Sequence, residues 1–102
     1  MTPGGGRAGL LVEFRLFETI QFQKDLQHDF GGQQARIQRK LRDFVYPQLR
    51  ANPYVGPHIK KLRDVVPDTW RYRVGDYRFF YSIDGSKRVV FMLAADHRGR
   101  AY

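Results

Sequence analysis

The chain has 102 residues, 42% of them hydrophobic and 15% aromatic, which is room for one domain with a modest core and too apolar for a disordered chain. Eighteen Lys and Arg against ten Asp and Glu give a net charge of +8, so the expected partner is a polyanion, either nucleic acid or an acidic protein segment. With no cysteine and three scattered histidines (His28, His58, His97), disulfides, thiol chemistry and a metal site are not expected, and no apolar run approaches the ~20 residues of a membrane span.

Residues 1–9 (MTPGGGRAG) read as a flexible lead-in without the apolar core of a secretory signal, and residues 10–102 as one domain in a cytoplasmic protein. Leu10 to Leu16 alternates as a strand, with Leu10, Val12, Phe14 and Leu16 on one side. Thr19 to Phe30 reads as a helix, with Phe22 and Leu26 one turn apart and Gly31-Gly32 as its stop. From Gln33 a second helix turns Ile37, Leu41, Phe44, Val45 and Leu49 inward and Gln34, Arg36, Arg39, Lys40 and Arg42 outward. Pro47 lacks an amide donor, so this helix is expected to end or kink there, and Asn52-Pro53 closes it.

Pro53 to Asp68, with three prolines and a glycine, reads as a loop that places Lys60-Lys61 shortly before Trp70. Trp70 to Tyr102 is a three-stranded antiparallel meander with turns at Gly75-Asp76 and Asp84-Gly85-Ser86-Lys87. The expected fold is α+β, in the order β-α-α-β-β-β, with the helical hairpin packed on the sheet. There is no Gly-rich phosphate loop and no sign of a cofactor.

A two-residue turn at Gly75-Asp76 sets the register: Val74 faces Tyr77, Arg73 faces Arg78, Tyr72 faces Phe79 and Arg71 faces Phe80. Alternation then places Trp70, Tyr72, Val74, Tyr77, Phe79 and Tyr81 in a core, and Arg71, Arg73, Arg78 and Phe80 on the other face. Like charges opposite one another destabilise a sheet, so Arg73 against Arg78 is a local fault in a pattern otherwise consistent. A phosphate is the natural counter-ion, with Lys60 and Lys61 as further phosphate contacts. Arg78→Ala is expected to leave the fold intact or to relieve repulsion, and Asp76 and Asp96 read as turn or pairing residues.

The motif WRYRVGDYRFFYSID, a preceding Lys-Leu pair and the terminal RVVFMLAADHRGRAY together resemble the RelE/ParE superfamily of type II toxin–antitoxin toxins over Leu10 to Tyr102. The resemblance to the RelE branch implies a ribosome-dependent endoribonuclease acting on mRNA, in which the 2′-OH attacks the adjacent phosphate. It implies an antitoxin partner whose acidic segment covers the basic face. By position it makes Arg78 and Arg98 the phosphate clamp, with Arg71 and Arg73 orienting the strand. Tyr102 is implied as a stacking or proton-transfer residue, and His97 is a further acid–base candidate because its unperturbed pKa lies near neutrality. RelE enzymes typically carry lysines where this chain has Arg71 and Arg73, and arginine cannot serve as a base. ParE-like inhibition of DNA gyrase and a non-catalytic basic binding module are the alternative functions.

Overall fold

The computed structural model describes residues 13–28 and 31–97. Five strands form one sheet: β1 (Arg15–Glu18), β2 (Ile59–Lys61), β3 (Trp70–Val74), β4 (Tyr77–Asp84) and β5 (Val89–His97), in the spatial order β1-β5-β4-β3-β2. β1 runs parallel to β5 and every other pair is antiparallel. The helices are α1 (Ile20–His28), α2 (Gln34–Lys40) and α3 (Tyr46–Ala51), with a π turn at Leu41–Val45 joining the last two.

The meander has the register expected from its turn, including Arg73 opposite Arg78 and Arg71 opposite Phe80. Gly75 supplies the positive φ, 55°, that the turn requires. Trp70, Tyr72, Tyr77, Phe79 and Tyr81 are buried against Phe22, Leu26, Ile37, Leu41, Val45 and Leu49 of the helical layer. The described helices therefore lie on one face of the sheet. The other face of β3 and β4 carries the arginines.

The second helix does not stop at Pro47. The proline has no N–H and its ring crowds the carbonyl four residues back, that of Asp43. Widening the turn relieves both problems, and the Tyr46 amide accordingly donates five residues back to the Leu41 carbonyl. In a regular helix the stripe Ile37, Leu41, Val45 and Leu49 would drift about 40° per step. The wide turn keeps all four fully buried, and it leaves Phe44, expected inward, 61% exposed.

Two other elements differ from the sequence reading. β1 covers Arg15–Glu18 instead of Leu10–Leu16, whose first three residues lie outside the described part, although Phe14 and Leu16 do turn toward the core. The stretch read as loop contains β2, a three-residue edge strand too short to show alternation.

The buried end of the meander is tied to the helix exit. Asn52 is extended and its Oδ1 accepts from the amides of Tyr54 and Val55, at 2.9 and 3.3 Å. The next residue, Pro53, is buried, and its carbonyl accepts from the Tyr81 hydroxyl at 2.7 Å. Tyr81→Phe strands that carbonyl in an apolar site, so it is expected to lose about 1–3 kcal/mol. A fall in the urea midpoint at unchanged m-value is the measurement.

Candidate nucleic-acid interface

Two rows of side chains cross the helix-free face of the sheet. One row is Arg73 on β3, Arg78 on β4 and Asp96 on β5. The next is Lys60 on β2, Arg71 on β3, Phe80 on β4 and Ala94 on β5. Four cations thus share one surface of about two residues' depth with a single carboxylate and an aromatic ring. Pro57, His58, Ile59, Lys60, Arg71, Arg73 and Gly75 line an open cleft of about 530 Å³ along it. Within the cleft wall the Arg71 Nε is buried and has no hydrogen-bond partner among the described residues. A buried unpaired donor carries a desolvation cost that a phosphate or carbonyl oxygen in the cleft would remove.

Arg78 has an internal partner. Its Nη2 and Nε both donate to Asp96 Oδ1, at 2.9 and 3.3 Å, and the two side chains are 29% and 12% exposed. Asp96, expected as a turn or pairing residue, therefore offsets the repulsion between Arg78 and Arg73.

A β-bulge puts Asp96 there. Phe80 pairs with Ala94 but Tyr81 pairs with Met92, so Leu93 is an extra residue in β5. Strict alternation from the buried Val90 and Met92 would have turned Asp96 into the core and His97 outward. The extra residue reverses both. Asp96 joins Arg78, while His97 pairs with Tyr77 on the helix side, their ring centroids 4.9 Å apart.

Helix α1 holds the bulge in place. The Thr19 hydroxyl donates to the Met92 carbonyl at 2.8 Å and lies 3.3 Å from that of Leu93, while accepting from the Phe22 amide as the cap of α1. β1 stops opposite Met92. Beyond it, Asp25 Oδ2 accepts from the Ala95 amide at 2.9 Å. Thr19, Asp25 and Leu93 are the residues that sequence reasoning missed as parts of this site, while Asp96, read as a turn or pairing residue, pairs with Arg78. The run VVFMLAADH, apolar almost throughout, hides where its phase changes.

Of the sequence-derived candidates, the structure brings Lys60, Arg71, Arg73, Arg78 and Phe80 together. Lys61 does not join them: opposite Trp70, its ammonium lies 3.2 Å from Asp68 Oδ2 and 5.4 Å from the Trp70 ring centroid. His97 lies on the helix side as described. Arg98 and Tyr102 lie outside the described residues. The phenols of Tyr72 and Tyr81 are not sources of phenolate, because burial pushes their pKa values up from the ordinary 10.0. No group of three or more potential metal ligands occurs among the described residues, and none of the described helices is long and apolar enough to cross a membrane.

Residues 19–102 match the ParE toxin family of type II toxin–antitoxin systems, parDE. The chain is 32% identical to toxin RelG of Mycobacterium tuberculosis over 85 residues, 82% of this chain and 94% of that one. Its fold is similar to the toxin–antitoxin complex RelBE2 of the same organism, with a TM-score of 0.70 and 29% identity over 85% of this chain and 100% of the other. It is also similar to the archaeal RelE–RelB complex of Pyrococcus horikoshii OT3, with a TM-score of 0.60, 28% identity and coverage of 86% and 98%.

Proposed function

The chain belongs to the RelE/ParE superfamily of type II toxins, and we propose that it arrests translation by cutting mRNA on the ribosome. The observation that carries this reading is the pair of cross-sheet rows: Lys60, Arg71, Arg73 and Arg78 on one open face with Phe80 opposite Arg71 and next to Arg78 along that face. An electropositive strip with an embedded ring suits single-stranded RNA, because cations follow the phosphates and a base stacks on the aromatic.

In the cleavage step the 2′-oxygen bonds to the adjacent phosphorus as its proton leaves. The bond from phosphorus to the 5′-oxygen breaks, and that oxygen takes up a proton, giving a 2′,3′-cyclic phosphate and a 5′-hydroxyl. Arg78 stabilises the negative charge that builds on the phosphoryl oxygens. Arg98, which follows β5 in sequence, completes this clamp. Arg71, Arg73 and Lys60 hold the flanking phosphates, and Tyr102 stacks on or exchanges a proton with the RNA. The partner that silences the toxin is a cognate antitoxin, a reading supported by the likeness to the RelBE2 and RelE–RelB complexes, and carboxylates of that partner would neutralise these cations.

Primer extension on a defined mRNA, with purified protein and with or without translating ribosomes, tests this reading. Discrete new 5′ ends that require both protein and ribosomes are the expected result. A second reading, ParE-like inhibition of DNA gyrase, is favoured by the ParE family match over residues 19–102. Absence of new ends together with a loss of gyrase supercoiling would establish it instead.

A further inference from the structure

The geometry points to Asp96 as the residue that positions Arg78 for phosphate contact, acting through the guanidinium and not on the RNA itself. This rests on the reading of Arg78 as a phosphate clamp. An arginine that faces another arginine across one side of its strand, as Arg78 faces Arg73, swings away from it into water unless something holds it. Asp96 Oδ1 takes two of the five N–H donors of Arg78, those on Nε and Nη2, which fixes the plane of the group as well as its distance.

The anchor is itself rigid. Asp96 is only 8% exposed, and the bulge that turns it toward Arg78 is pinned by Thr19 and Asp25 from α1. A carboxylate beside a phosphate site also repels the ligand. That makes Asp96 unfavourable for simple RNA affinity and useful only if orientation matters more than net charge. The two effects have opposite signs in two different measurements.

Asp96→Asn keeps the shape and removes the charge. Binding of an uncleavable 2′-O-methyl RNA is expected to tighten about two- to fivefold at low salt, because one negative charge leaves the site. Single-turnover cleavage of the matching cleavable mRNA on ribosomes is expected to slow about 10- to 100-fold, through loss of alignment. Asp96→Glu, which restores the charge, is expected to recover part of the rate and to reverse the gain in binding. In the purified chain the Arg78 Nε–H resonance is expected to exchange with water at least tenfold faster in Asp96→Asn than in wild type.

Binding and cleavage that weaken together, with a lowered unfolding midpoint, would reduce Asp96 to a structural residue and overturn the proposal. Binding and cleavage that both improve would make it a competitor of phosphate and overturn it equally. Wild-type protein that cuts no RNA would remove the nuclease reading alone. The Arg78 exchange rate then still decides, and an unchanged rate in Asp96→Asn sinks the positioning role.

Discussion

Arg78→Lys is expected to slow mRNA cleavage about 10²- to 10³-fold while leaving the unfolding midpoint nearly unchanged. Lysine keeps the positive charge beside Asp96, so the pair survives as an attraction. What disappears is the planar fork, which in the native protein is held in one orientation by the bonds from its Nε and Nη2 to Asp96. A point charge on a flexible stem cannot reproduce that. Arg78→Ala behaves differently, because it removes the guanidinium from a carboxylate that is 12% exposed. The sequence alone led to the expectation of an intact fold or of relief from Arg73. With Asp96 in place, a loss of about 1–3 kcal/mol is expected instead, only partly offset by the vanished repulsion. Adding Asp96→Ala to Arg78→Ala should recover most of that loss, and the coupling energy from the four urea midpoints measures the pair. A rate for Arg78→Lys within threefold of wild type would show that charge alone suffices at this position and would remove the clamp role.

The contrast between these variants marks where the sequence stops being informative. Faces and register of β3 and β4 were legible because one two-residue turn at Gly75-Asp76 and strict alternation on both sides leave a single solution. The i, i+4 stripe from Ile37 to Leu49 was legible for a similar reason, whereas the outward turn of Phe44 was not, since it depends on how the chain passes Pro47. β5 was read as a strand, but its phase was not. Apolar residues fill both of its phases, so nothing in VVFMLAADH announces that Leu93 is supernumerary, and the fates of Asp96 and His97 hang on that one residue. The bulge is held by Thr19 and Asp25, more than 65 positions away in sequence. A contact of that range leaves no local pattern to read.

Phe79 and Phe80 are adjacent on β4 and point to opposite faces, so truncating each should affect a different property. Phe79 is fully buried, lies 6.2 Å centroid to centroid from Phe22 of α1, and is flanked across the sheet by Tyr72 and Ala95. Removing its ring leaves a cavity at the junction of sheet and helix that close-packed neighbours cannot refill. Phe79→Ala is therefore expected to cost about 3–5 kcal/mol, a large share of the stability of a domain this size. In calorimetry that corresponds to a melting temperature lower by about 12–25 °C. Phe80 is only half-buried, opposite Arg71 and Ala94 on the cationic face. Phe80→Ala is expected to lose no more than about 1 kcal/mol of stability, the scale of a cross-strand pair. Its affinity for uncleavable RNA is expected to fall about tenfold or more, the worth of one base stacked on an aromatic. If RNA affinity instead followed thermal stability in both variants, Phe80 would be a packing residue and the base would stack elsewhere. If Phe80→Ala alone weakened binding, with folding preserved, the aromatic opposite Arg71 on the cationic face would be the platform on which the RNA rests.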